Sequence, residues 1–500
     1  MKNHKLFILL YIFLLPVLLF AQQPNTSSIP VHPDAQHAEA ILLNQPMEGF
    51  KGIWYANQPS SDEFVYKYSG GLGTYPSNHY PFSIYAAEVD KTFFCFGGVN
   101  DEGSLIHAVS FFDHKTNQVA RPVAVLDKNT TDAHDNPVMS MDKDGYIWLF
   151  STSHGVWRPS YIHRSIRPYD ISKFEPVKAV KIENGTKVPM DNFSYVQMYY
   201  QPDYGFFGLF THYEQKELRY GTKQSRIISY MTSPDGENWS EWKDIANIEE
   251  GHYQTSFYKN GKVATTFNHH PNMEKGAGLN FRTNLYYLET SDFGDSWQNV
   301  QGEKTDLPLT SIENKALVKD YASLGLNVYI NDVSFDEEGH PAILYVTSGG
   351  FEAGPFNNPR TWNLAYWTGT AWTFSEITSS DNNYDMGSIY LEDDGTWRII
   401  GPTQPGPQLF NTGGEMIMWT SKDKGETWKE KKKLTSNSEK NHSYARKPLN
   451  AHPDFYALWA DGHGRKPSES SFYVATKGGK VFQLPRKMDK DLMNLKKYKK

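Results

Sequence analysis

Apolar and polar positions alternate along most of this chain in short bursts. Each burst closes on Gly, Asn, Asp or Pro, and the pattern predicts strands rather than helices. Residues 134–155, HDNPVMSMDKDGYIWLFSTSHG, show it best. Val138, Ser140 and Asp142 alternate with Met139 and Met141, Lys143-Asp144-Gly145 supplies turn residues, and Tyr146 to Phe150 is an aromatic and β-branched run. This predicts a β-hairpin. With the turn centred on Asp144-Gly145, His134 pairs with Gly155 and Asp135 with His154. Two imidazoles then meet at the open end of one hairpin, within roughly 5–8 Å by cross-strand and diagonal spacing. Both lie outside the apolar run, so neither is needed for a core. They are candidate acid/base partners; the plain alternative is a pair of loop-end histidines bonded to backbone.

The hairpin recurs. Strands start near His79, His134, Tyr195, Tyr253, Asp332, Asp385 and Tyr444, each followed by a turn and a second apolar strand. The spacing is roughly 60 residues, with one longer interval after Tyr253 that holds an insertion at residues 298–323. A period of this size, with room for four strands, predicts an all-β, seven-bladed β-propeller over residues 46–485. Ser421 to Trp428 (SKDKGETW) fits an Asp-box turn, Thr290 to Trp297 (TSDFGDSW) fits with Thr for Ser, residues 233–239 (SPDGENW) are one shorter, and Asp393 to Trp397 is a relic. In such turns Asp caps backbone donors and Gly takes positive φ, so their role is structural. The Phe50–Tyr55 strand is expected to join Ser471–Ala475 in one shared blade and tie the ends together.

Composition narrows the class. The chain has 500 residues, a formal charge of −7, 15% aromatic residues, 38 Gly, 28 Pro and one cysteine, Cys95. The acidic balance argues against a nucleic-acid partner, and a single cysteine leaves no intrachain disulfide. Residues 1–22 read as a signal peptide: Lys2 and Lys5, an apolar Leu6 to Phe20, and a small residue at Ala21. The apolar run is short for a membrane span, so no membrane anchor is expected, and export to the periplasm or medium follows cleavage near Ala21. Residues 23–45 read as a polar lead-in, and the Lys-rich residues 486–500 as a basic, solvated tail. A monomer is expected.

The repeat orders the polar residues in space. Hairpin ends of the innermost strands gather on one face, which collects His134, His154, Tyr195, His212, Tyr213, Tyr253, His269, His270, Tyr444 and Arg446. The same arithmetic around Asn260-Gly261 sets His252 opposite His269, and it sets Tyr195 near Tyr213. Arg219 and Arg226 follow His212 and Tyr213 closely enough to bring guanidinium groups there. Glycoside hydrolysis usually needs two carboxylates, and none stands out. β-Elimination from a uronic-acid glycoside needs a cation to neutralise the carboxylate, a base for the C5 proton and an acid for the leaving oxygen. Imidazole, phenol and guanidinium suit those tasks. Ordinary ligand stacking by Tyr and His at a propeller mouth is the plain alternative.

Residues 51–76 (KGIWY…YKYSGGLGTYP), the double-histidine hairpin, the Asp-boxes and residues 450–462 (NAHPDFYALWADG) together resemble the BNR-4 repeat proteins. Among these the chain looks most like ulvan lyases of polysaccharide lyase families 24 and 25. The resemblance implies a seven-bladed propeller that cleaves an acidic polysaccharide, ulvan, between rhamnose sulfate and a uronic acid. It implies catalytic roles for His134, His154 and Tyr195, and substrate binding by Arg219 or Arg226, Tyr253 and His270. No cofactor is needed for the chemistry; the family can carry a structural metal, for which His269-His270 is a candidate ligand pair. A rhamnose–glucuronate lyase or α-L-rhamnosidase acting on arabinogalactan-type glycans, and a non-catalytic glycan-binding propeller, stay open as alternatives.

Overall fold

The computed structural model describes residues 39–498 apart from 72, 156–157, 191, 219–220 and 273–279, with the side chains of 57, 215–216, 218 and 221–224 also left aside. The expected signal peptide therefore lies outside the described residues. Within them the chain is all-β, and short 3-10 segments such as Ala133–Asp135 and Pro355–Asn357 supply its helical turns. No helix among the described residues is long and apolar enough to cross a membrane.

The strands follow one another in antiparallel up-and-down runs. The first run is Ser83–Ala86, Lys91–Val99, Leu105–Asp113 and Val123–Asp127. The second is Pro137–Met141, Ile147–Ser151, Tyr161–Ser165 and Phe174–Pro176, and the third is Ser194–Gln201, Gly205–Leu218, Gly221–Ser233 and Lys243–Ala246. The fourth is Gln254–Lys259, Lys262–His269, Thr283–Thr290 and Leu317–Lys319; the fifth is Asn327–Phe335, Pro341–Ser348, Arg360–Trp367 and Trp372–Ser380. Then come Ser388–Leu391, Trp397–Pro405, Gly414–Ser421 and Lys429–Lys433, and finally Asn441–Arg446, Ala457–Gly462, Phe472–Ala475 and Val481–Gln483.

Strand periodicity explains how the runs pack. Successive side chains point to opposite faces, so a strand between two sheets is apolar on both. Phe93 and Cys95 pack with Met139, Ile147 and Leu149 of the second run. Their neighbours Phe94 and Phe96 pack the other way, against Leu458, Ala460, Phe472 and Val474 of the last run. Val138, Trp148 and Phe150 in turn face Val196, Met198 and Phe206 of the third run. The Asp-boxes form as turns: Asp423 Oδ1 accepts from the Thr427 amide at 2.9 Å, Gly425 has φ +86°, and Trp428 Nε1 donates to the Gly425 carbonyl at 3.1 Å.

Several details differ from expectation. Strand Ile41–Pro46 falls inside the lead-in and pairs with Val123–Asp127. Its side chains are mostly exposed, so it carries no apolar alternation to read. The C-terminal residues are not a free tail: Leu492–Asn494 pairs with Gln118–Ala120, and Lys496–Lys497 pairs with Val481–Gln483. Ladder bonds need only backbone, so lysine-rich composition does not forbid them. Strand Gly52–Pro59 pairs with Tyr66–Gly71 and with Glu469–Ser470, one element short of the expected Ser471–Ala475 partner; Phe472–Ala475 is already bonded on both sides. An unforeseen hairpin, Val180–Glu183 with Thr186–Pro189, bonds in parallel to Asn238–Trp239.

Candidate active site

The hairpin of residues 134–155 forms with Ile147 opposite Met141 and Ser151 opposite Pro137, one residue from the expected register. Continued beyond the ladder, that register sets His134 directly across from His154. The chain enters it through the 3-10 turn Ala133–Asp135, capped by Asp132, whose carboxylate accepts from the His134 amide at 3.0 Å. The two imidazoles stack, with ring centres 4.0 Å apart and planes 18° from parallel.

One carboxylate holds both rings. Asp132 Oδ1 lies 2.5 Å from His134 Nδ1, and Oδ2 lies 2.8 Å from His154 Nδ1. The Tyr55 hydroxyl donates to Oδ1 at 3.2 Å, and Arg158 Nη2 donates to Oδ2 at 2.8 Å. Arg158 also bridges to buried Asp135, with Nε and Nη2 at 2.8 and 2.7 Å. Burial opposes ionisation of Asp132, but the two imidazoles and their hydrogen bonds outweigh it and hold its carboxyl well below the ordinary range. An anion at both Nδ1 atoms fixes each ring with its proton there and leaves Nε2 as the basic atom. His134 Nε2 meets the Tyr75 hydroxyl at 3.0 Å. His154 Nε2 has no protein partner among the described residues, and that side chain is 31% exposed where His134 is buried. Burial, and next the neighbouring His154, depress the basicity of His134.

Tyr195 opens the third run at a bulge between Ser194 and Gln197, in left-handed backbone at φ +49°. Such bulges re-aim a side chain, and here the ring is set edge-on to both imidazoles, 5.8 Å from His134 and 6.2 Å from His154. Tyr444 has the same geometry within the first strand of the last run, Asn441–Arg446, at φ +52° in a bulge between Ser443 and Arg446. Tyr253 lies 5.3 Å from Tyr195, edge to face. Their acidities diverge. Burial, with Tyr253 and Tyr213 nearby, pushes the Tyr195 phenol well above its ordinary range. Tyr253 is only part-buried by accessible surface, and there Arg226 and Arg282 outweigh desolvation and bring its phenol below the usual value. The neighbouring arginines therefore ease the phenol proton of Tyr253 and not that of Tyr195.

His134, Tyr195 and Tyr253 line one cleft with Lys67, Tyr68, Tyr75, Arg282, Tyr384 and Tyr444. The chain's sequence places it among known proteins. The profile of BNR_4, the BNR repeat-containing family member, matches residues 109–380. The chain belongs to that family. It is 23% identical over 371 residues to an ulvan lyase of Nonlabens ulvanivorans, covering 67% of this chain and 72% of the relative. It is 21% identical over 359 residues to an ulvan lyase of Alteromonas sp. (strain LOR), covering 66% and 69%. Among solved structures it superposes on a polysaccharide lyase PL25 ulvan lyase with a TM-score of 0.64 at 18% identity, over 87% of this chain and 96% of that one. The same lyase bound to -[GlcA(1-4)Rha3S]- gives 0.63. The fold is therefore shared with that lyase.

The remaining members of this BNR_4 chain's expected site fall in different places. Arg219 lies outside the described residues. Arg226 sits behind the tyrosines, its guanidinium 5.5 Å from the centre of the Tyr213 ring. His270 packs 4.9 Å from Tyr253, fully buried, and burial with Arg282 and Arg226 depresses its basicity strongly. Those two guanidiniums make the His269-His270 pair a poor cation site, and His269 Nε2 is already engaged by Glu249 at 2.7 Å. Donor sets of metal-ligand type occur instead at Asp132–His134–His154, His114–His452–Asp454 and Asp336–Glu338–His340. Arg446 and His212, expected on the active face, and His252, expected opposite His269, serve elsewhere. Arg446 donates to the Pro76 and His79 carbonyls, His252 Nδ1 bonds the Asn268 carbonyl, and His212 bonds Ser229 in a separate groove. Asp132, Arg158, Tyr75, Lys67 and Arg282 were missed. Asp132 was the most legible, standing two residues before His134 as a cap.

Proposed function

We propose that the protein is a secreted polysaccharide lyase that cleaves ulvan-type polymers at a rhamnose–uronate linkage by β-elimination, leaving an unsaturated uronate end. The observation that carries this is the stacked His134–His154 pair on Asp132, facing Tyr195 and Tyr253 in a cleft that also holds arginine. The similarity to curated ulvan lyases supports the same polymer. The scaffold we infer is a closed seven-bladed propeller: the seven runs pack in order, and the packing of Phe94 and Phe96 against the last run supports closure. Export with cleavage near Ala21, a monomeric state and no nucleic-acid partner belong to the same reading.

In this mechanism the uronate carboxylate is neutralised by a guanidinium, which makes the C5 proton acidic. His154, whose Nε2 is unencumbered, takes that proton, and stacked His134 shares the positioning carboxylate. The C5–H electrons form the C4–C5 double bond while the C4–O bond breaks with its pair onto the leaving oxygen. Tyr195 protonates that oxygen, its raised phenol pKa keeping it protonated until then. Tyr253, packed edge to face against Tyr195, can re-supply its proton. A hydrolase such as a rhamnosidase would instead need two carboxylates across the bond; Asp132 is tied to two imidazoles and Arg158, and among the described residues no carboxylate lines the cleft. The test is incubation with ulvan and with gum arabic, followed by ultraviolet absorbance and product mass. Products carrying an unsaturated end support the lyase; products heavier by water mean hydrolysis, and unchanged chains mean a binding module.

A further inference from the structure

Away from the cleft, the junction between the first and last runs gathers a second group of ligating side chains. His114 follows strand Leu105–Asp113 of the first run, and its amide donates to the Asp90 carbonyl at 3.1 Å. His452 and Asp454 lie in the loop between strands Asn441–Arg446 and Ala457–Gly462 of the last run. Backbone bonds hold that loop against the first run: the Leu449 amide donates to the Ser83 carbonyl at 2.8 Å, and the Tyr85 amide to the Leu449 carbonyl at 3.0 Å. The His114 and His452 rings are 3.7 Å apart, centre to centre, closer than the stacked His134–His154 pair at 4.0 Å. The Tyr85 ring packs on both, 5.4 and 4.9 Å away.

His114 is 8% exposed. Its Nε2 meets the Thr92 hydroxyl at 2.8 Å, while its Nδ1 is buried with no hydrogen-bond partner. A buried ring nitrogen left in that state is costly. With the Nε2 proton donated to Thr92 Oγ1, Nδ1 keeps a free lone pair, the form of imidazole that binds a metal. His452 Nδ1 accepts from the Asp454 amide at 3.2 Å and lies 4.0 Å from the Asp454 carboxylate. One donor atom from each of the three residues falls within 4.8 Å of the others. Among the described residues no lysine or arginine pairs with Asp454. The two other donor sets are already engaged. Asp132 holds two imidazoles and Arg158, whereas Asp336 accepts from the His340 amide and the Tyr366 hydroxyl, with Lys424 3.1 Å from Glu338.

We propose that His114, His452 and Asp454 bind a divalent transition-metal ion of the zinc class, which fastens the first run to the last. Two imidazoles and a carboxylate suit such an ion; magnesium and calcium prefer oxygen ligands throughout. Water completes the coordination, because the Asp454 side chain is more than half exposed. None of the three residues lines the catalytic cleft, so the ion's role is structural. The chain has a single cysteine, so no disulfide within it can make this link. His114 and His452 stand more than three hundred residues apart, and a clip that closes a long loop restricts the unfolded chain most.

The test titrates tag-free, chelator-treated protein with zinc chloride in a calorimeter and follows its melting temperature with and without zinc. The wild type should bind zinc and melt at a higher temperature in its presence. His452→Asn should weaken that binding by about a hundredfold or more and abolish the rise in melting temperature, while the metal-free variant melts as wild type does. Asp454→Asn, at an exposed position, should act in the same direction and covers the case in which the first variant does not fold. His154→Asn, in the cleft, should bind zinc as wild type does. A wild type that binds no zinc, or zinc binding that survives unchanged in the His452 and Asp454 variants, overturns the proposal. Zinc binding lost only with His154→Asn also overturns it, by placing the ion on the His134–His154 pair.

Discussion

Replacing Asp132 by Asn tests the centre of the site with almost no change in volume. The carboxylate accepts from both imidazole Nδ1 atoms, from Arg158 and from Tyr55. An amide keeps one acceptor oxygen and presents N–H donors where the other stood. One imidazole must then turn its Nδ1 lone pair toward the amide and carry its proton on Nε2, which removes it as a base. Charge-assisted hydrogen bonds contribute about 1.5–3 kcal/mol each. Two are lost or inverted, and Arg158 keeps Asp135, so the fold should lose about 3–5 kcal/mol. Turnover should drop by about 10²–10⁴, the range seen when the carboxylate that orients a catalytic histidine is neutralised. The assay is release of unsaturated uronate followed by ultraviolet absorbance across pH, with thermal melts on the same samples. A variant within about fivefold of wild type would refute the tautomer argument.

Tyr195→Phe keeps the ring and removes the proton; the rate of elimination should fall at least about a hundredfold while the melting temperature stays close to wild type. Near-normal turnover would place the acid elsewhere. Phe94→Ala empties a fully buried position between the first and last runs, and chemical denaturation should show a loss of about 3–5 kcal/mol; a loss below 1 kcal/mol would contradict packing across that junction. His114 and His163 are both held down to about 4, chiefly by burial. Their folded-state values lie below the unfolded one, so the unfolded chain binds the extra protons and stability is lost as pH falls from about 6.5 toward 4, on the order of 1–2 kcal/mol for each group. Melting temperature should fall through that window, and less steeply for His163→Leu. A flat profile would mean that other groups compensate.

Much of this was legible in the sequence because strands write a short-range code. Alternation with period two announced the hairpins, and turn residues located the Asp-boxes and the Asp144-Gly145 bend. Since both imidazoles sit on one hairpin, His134 and His154 could be brought together by counting alone. Tyr195 and Tyr253 followed from the repeat, because a recurring unit returns the same position to the same face. What lay beyond reach depended on contacts between strands distant in the chain. Arg158 closes onto Asp132 and Asp135 through a loop with no pattern, and Tyr75 reaches His134 from before the first run. Lys67 and Arg282 share a cleft although more than two hundred residues separate them. The pairing of strand Ile41–Pro46 and of the lysine-rich C-terminus was invisible for another reason: edge pairing uses backbone donors and acceptors that every residue carries. Which phenol yields its proton more readily was decided by tertiary structure alone. Tyr195 and Tyr253 are alike as residues, but Tyr195 is the more deeply buried, and Arg226 together with Arg282 acts on Tyr253 through a field that reaches a few ångströms of folded space.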